Sequence, residues 1–138
     1  MPERPISPHP NLVTAEGLAY IEAEVTRLQQ EHAAAQAAND RTALARAARD
    51  LRYWNARRAT AQLAPTPSDR SKVHFGSTVT IVRNDGRRQT FRMVGEDEAD
   101  PAHGTLSHVS PLARALFGKQ VGDTIEVAQK EAEILEIA

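Results

Sequence analysis

Two stretches of this chain repeat apolar residues every three or four positions, and the second half alternates them every second. Leu18, Ile21, Val25, Leu28 and Ala35, with His32 filling the missing seam position, form an a/d stripe. The stripe resumes after Asn39-Asp40 with Leu44, Ala47, Leu51, Trp54 and Ala61. A short polar turn between two such stripes predicts an antiparallel helical hairpin over 14–63, each seam covering the other. Thr14 is the expected N-cap, and Glu16 falls in the first turn, where the helix dipole favours an acid. About 24 residues per arm at 1.5 Å each gives an arm of about 36 Å. Few large apolar side chains line the seam, so the hairpin is expected to be stable only when tied to a second domain.

On either side the period is different. Residues 1–13 hold Pro2, Pro5, Pro8 and Pro10, which fix φ and disfavour helix in the preceding residue, so a flexible proline-rich tail is expected. Pro65 and Pro67 in "APTPSDRS" stop the second arm and make 64–71 a linker. From 72 to 138 the pattern has period two. "VHFGSTVTIVR" and "RQTFRMVG" flank "NDG" at 84–86, a strong hairpin signal. "GTLSHVS", "DTIEVAQ" and "EAEILEI" read as further strands. "SPLARALFG" reads as a short helix, with Ser110 as N-cap, Pro111 at the first helical position and Gly118 past its end. The fold class is therefore α+β, a helical hairpin joined to a small antiparallel sheet domain with one helix.

Composition narrows the function classes. With no cysteine among 138 residues, disulfides and thiolate metal sites are excluded, and a reducing cytoplasm fits. "MPERPISPHPN" lacks the apolar core of a signal peptide, and no run approaches the roughly 20 apolar residues that span a bilayer. The formal charge of -1 gives no global pull toward nucleic acid or membrane. Aromatics at 4% argue against an aromatic-lined pocket or a base-stacking platform.

Charge is nonetheless segregated between the arms. Glu16, Glu22, Glu24 and Glu31 lie on the first, and Arg41, Arg46, Arg49, Arg52, Arg57 and Arg58 on the second. Pairing of these charges across the seam is the expectation. The sharper alternative makes Arg46, Arg49 and Arg52 candidate nucleic-acid contacts along a phosphate backbone, RNA or DNA. The run Glu96, Asp97, Glu98 and Asp100 lacks the alternation and the glycine of a calcium loop, so a solvated turn is expected there. His9, His32, His74, His103 and His108 show no ligand spacing, and no nucleophile–base set or phosphate loop can be argued.

Several separate motifs carry a resemblance. At "KVHFGSTVTI", "FRMVGEDEADP" and "SPLARALFGKQVGD" the chain resembles the C-terminal domain of the Gre family of bacterial transcript-cleavage factors. "NLVTAEGLAYIEAEV" and "RYWNARRATAQL" are similar to the start and the returning end of that family's coiled coil. The shortened hairpin also resembles Rnk-type regulators. The resemblance implies a coiled coil joined to an FKBP-like domain that docks on RNA polymerase at its secondary channel, with the loop at Ser110, Pro111 and Leu112 carrying part of the docking. Val109 stands before them, where the family often has Asp or Asn.

The hairpin tip, Asn39, Asp40, Arg41 and Thr42, departs further. Cleavage-competent relatives carry paired acids there, which help hold a second magnesium ion in the polymerase's own active site. Here Asp40 is the sole candidate acid, and Arg41, Thr42 and Ala43 follow it. The arms also look shorter, and one missing heptad withdraws a tip by about 10 Å.

The resemblance thus implies a monomeric, cytoplasmic, non-enzymatic regulator of elongation whose partners are RNA polymerase and, transiently, nascent RNA. It has no cofactor of its own; if cleavage-competent, it acts with polymerase-bound magnesium. The alternatives are an active cleavage factor using Asp40, a prolyl isomerase sharing the fold, and direct nucleic-acid binding. The isomerase needs several aromatics in one cavity, and 72–138 offers Phe75, Phe91 and Phe117 alone.

Overall fold

The computed structural model describes residues 2–138. Two short strands, β1 (Leu12–Val13) and β2 (Gln62–Leu63), bracket helices α1 (Ala15–Ala37) and α2 (Arg41–Thr60). Thr14 caps α1 as its sequence position suggests, its hydroxyl accepting from Gly17 N at 3.0 Å. α2 stops at Thr60, earlier than the linker prolines require. Gln62 N donates to Asn11 O at 2.8 Å and Ala64 N to Val13 O at 2.9 Å, so the chain leaves the helix to pair with β1 in parallel.

The hairpin core is uneven along its length. Ile21, Val25 and Leu28 are each 1% exposed and cluster with Val13 and Trp54 at the base. Toward the tip the buried seam residues are Ala35 and Ala47. Burial of a large aliphatic side chain contributes about 1.5–3 kcal/mol and of an alanine far less, so the base holds the arms together.

The sheet domain is one five-stranded sheet in the order β5-β4-β3-β7-β6, from β3 (Thr78–Arg83), β4 (Arg88–Val94), β5 (Thr105–Ser107), β6 (Thr124–Val127) and β7 (Lys130–Ile137). Three pairings are antiparallel, but β4–β5 is parallel, so the sheet is mixed where alternation alone suggested an antiparallel one. The connection 95–104, including a 3-10 turn at Pro101–His103, crosses back before β5 begins, which a parallel neighbour requires. A bulge in the β3–β7 ladder falls between Thr80 and Ile81. Val79, Ile81, Met93 and Ile134 are fully buried beneath Ala113 and Leu116 of α3 (Pro111–Leu116). Ser110 caps α3 and Pro111 opens it, as predicted.

The two tight hairpins differ in chemistry. "NDG" closes β3–β4 with Gly86 at φ 83°, where a left-handed residue is needed. The β6–β7 turn places Ala128 at φ 54° and Gln129 at φ 65°, a strained choice without glycine. In the linker Asp69 accepts from Ser71 Oγ at 2.6 Å and faces His74 Nε2 at 2.9 Å. The Ser71 hydroxyl first, and then His74, hold the Asp69 carboxyl well below the usual range.

The proline-rich segment lies against the hairpin rather than apart from it. Arg4 stacks over Tyr53 at 4.0 Å and approaches Asp50 at 3.6 Å, while Glu3 pairs with Arg52 at 2.7 Å. His9 Nε2 lies 3.4 Å from Arg114 of α3.

Candidate functional site

The tip is a capped turn. Asn39, at φ 53°, ends α1 in the left-handed region, and Asp40 N closes the turn on Ala35 O at 3.0 Å. The Asp40 carboxylate is the N-cap of α2, accepting from Ala43 N at 3.1 Å. Arg41 and Thr42 open the helix on the exposed side. A shallow groove of about 350 Å³ beside the tip is lined by alanines together with Glu31, Asp40 and Arg46. Glu31 is already held by Arg27 at 2.6 Å.

The arginines of α2 have separate fates, and pairing across the seam is not one of them. On α1, Arg27 takes Glu24 and Glu31. On α2, Arg49 pairs with Asp50 at 3.0 Å and Arg52 with Glu3, while Arg46 borders the tip groove. On α1 the pairs are between neighbours three and four residues apart, while on α2 the partners are the adjacent Asp50 and Glu3 of the proline-rich segment.

At the other end of the molecule Ser110 accepts from Ala113 N at 3.3 Å, and Pro111 is exposed. Leu112 packs half-buried on the sheet core. Next to this loop His108, 9% exposed, meets Phe75 edge-on at 5.4 Å, and its Nε2 has no hydrogen-bond partner among the described residues. Burial pushes its pKa down. Phe91 and Phe117 are partly buried against the sheet core.

The acidic run is a correction to the sequence reading. Glu96, Asp97 and Glu98 are not a solvated turn; they join the sheet domain to the hairpin base. Arg57, 2% exposed, donates from Nε to Asp97 Oδ2 at 2.6 Å and lies 3.6 Å from Glu96. Its Nη2 donates to Asn11 Oδ1 at 2.9 Å, and Asn11 Nδ2 donates to Arg57 O at 2.7 Å. The Tyr53 hydroxyl donates to the other oxygen of Asp97, and burial followed by that carboxylate pushes the phenol up to about 12.

Glu98 completes the joint from the other side. It accepts from Thr14 Oγ1 at 2.6 Å, Thr14 N at 3.2 Å and Gly95 N at 3.1 Å. In a capping box, an acid three residues after the cap bonds the cap's own N–H. Here that third residue is Gly17, and Glu98 of the sheet domain fills the role. A Cβ on Gly17 would lie 2.0 Å from Glu98 Oε2, so glycine makes the room. The missing acid in "TAEG" was the one sequence signal of this arrangement.

An antiparallel hairpin seated on a mixed sheet domain, with one exposed polar tip, defines the class of two-part proteins to which this chain conforms. A family model described as "Transcription elongation factor, GreA/GreB, C-term" matches residues 67–138, and the chain belongs to that family. Among curated relatives, a transcription elongation factor GreA of Hyphomonas neptunium is 58% identical over 59 residues, 42% of this chain and 38% of the relative. One of Alkalilimnicola ehrlichii is 48% identical over 71 residues, 48% of this chain and 45% of the relative. The matches thus span under half the length of these curated relatives. Among solved structures, GreA factor homolog 1 of Thermus thermophilus covers 94% of this chain and 99% of its own at 16% identity and a TM-score of 0.45. A GreA/GreB factor from Nitrosomonas europaea covers 93% and 98% at 18% identity and 0.46.

Proposed function

We propose that this chain is a transcription elongation regulator that binds bacterial RNA polymerase at the secondary channel and occupies it without efficient stimulation of transcript cleavage. The sheet domain docks through the loop at Ser110, Pro111 and Leu112, and the hairpin enters the channel as one copy per polymerase. Arg46, with Arg49 and Arg52 behind it, is the side that would meet nascent RNA. The chain brings no metal of its own.

The tip carries this reading. Asp40 is engaged as a helix cap, Arg41 follows it, and the one other carboxylate at the groove, Glu31, is held by Arg27. Holding a second magnesium for hydrolysis calls for carboxylates free to ligate and placed to within tenths of an ångström. A capped, singly acidic tip does not supply that.

The test is RNA cleavage in a purified backtracked elongation complex, with the chain alone and in competition with a cleavage factor. No cleavage alone and suppression of the competitor is the expected outcome. Cleavage stimulated by this chain and lost in Asp40→Ala would reverse the reading in favour of an active factor. The observation behind that second reading is that Asp40 and Glu31 line one groove.

A further inference from the structure

We infer that the Arg57–Asp97 and Thr14–Glu98 contacts act together as a lock that sets the angle of the hairpin on the sheet domain, with Arg57 and Glu98 as positioning residues for the tip. The inference deepens the docking reading, because the angle decides where Asn39–Thr42 lies relative to the Ser110–Leu112 loop.

Three observations converge. The contacts sit on both helices: Glu98 holds the start of α1, while Asp97 holds Arg57 and Tyr53 near the end of α2. Fixing both helix ends to consecutive residues of one loop removes rotation about either helix alone. Second, the approach is close on both sides. A Cβ on Gly95 would lie 2.5 Å from the backbone oxygen of Leu12, and one on Gly17 would meet the Glu98 carboxylate at 2.0 Å, so a methyl there would push that carboxylate off Thr14. Third, the groups are withdrawn from water. Arg57 is 2% exposed and the Asp97 side chain 9%, so solvent does not compete for these bonds as it does for Arg52–Glu3 at the surface.

Leverage makes the angle matter. α1 is 23 residues long, about 35 Å, so a ten-degree change at the base moves the tip by about 6 Å. That exceeds the tolerance of any carboxylate or arginine contact at the tip.

The absence of cysteine gives a clean experiment. Spin labels at Gln30→Cys, at the end of the well-packed seam, and Glu126→Cys on the sheet report the distance by pulsed electron resonance on the full chain, free of polymerase. The parent is expected to give one narrow distribution. Gly17→Ala drives a methyl into Glu98 while improving helix propensity, so it strikes the joint and spares the hairpin. Arg57→Lys removes the planar fork but keeps the charge. Both should shift or broaden the distribution by about 4 Å, ten degrees on the roughly 22 Å from the base to Gln30, with unchanged helix content by circular dichroism. If Arg57→Lys loses helix, Gly17→Ala decides. A broad distribution in the parent, or variants that superpose on it, overturns the lock. Because no polymerase is present, that failure is separate from failure of docking.

Discussion

At the scale of single residues, three side chains in this chain carry more than their type suggests. Arg57 occurs in a run of arginines and looks like any of them. Its burial depends on Asp97, forty positions away, which no local pattern encodes. Removing one partner of such a pair leaves a buried charge and costs about 3–5 kcal/mol, against about 1 kcal/mol or less for the exposed Arg52–Glu3 pair. Asp40, by contrast, was legible as a turn residue because capping is local. The third is His108. An unfolded histidine titrates near pH 6.5, and burial holds His108 below that, so the unfolded chain takes up the proton first as pH falls. Stability from this group is complete above about pH 6.5 and declines below it. The expected result is a drop in urea midpoint between about pH 7.5 and 5.5 that is shallower in His108→Leu. Equal slopes would mean that the ring is not held neutral. Glu96 opposes the shift, while His9, Arg57 and Arg114 reinforce it.

Elements were mostly readable, and the failures share a cause. Periodicity located both arms, the cap of the first and all five strands of the sheet, because amphipathic repeats are set by which face meets a core. It could not orient β5, since alternation is the same in parallel and antiparallel strands. Nor could it show β1 and β2, two residues each, whose sole signal is mutual pairing. The β6–β7 turn is a different case. Alternation found the strands, but Ala128-Gln129 gave no hint of a turn with two positive φ angles. Ala128→Asn with Gln129→Gly installs the residues such a turn favours and should stabilise by about 1 kcal/mol. Thermal unfolding should then rise by about 3–5 °C, and a lower midpoint would show that these side chains make a compensating contact.

For the whole molecule, the division into hairpin and sheet was visible as a change of period, but their union was not. The acidic run that looked solvated is what joins them, and the proline-rich segment adds contacts to α2 and α3 at the surface. Stability is therefore distributed from the joint outward. The aliphatic and aromatic cluster sits beside the joint, and beyond Leu28 the seam thins to alanine. A beam clamped at one end and tapering in stiffness bends mostly near its free end. Amide hydrogen exchange should follow that gradient, slow at Ile21–Leu28 and about tenfold or more faster at Ala34–Ala38 and Ala43–Ala47, since local opening there exposes little apolar surface. Uniform protection along both arms would contradict it. Such a beam can be aimed by its root and still give way at its end, so that a hairpin entering a narrow passage could conform to the walls without losing its heading.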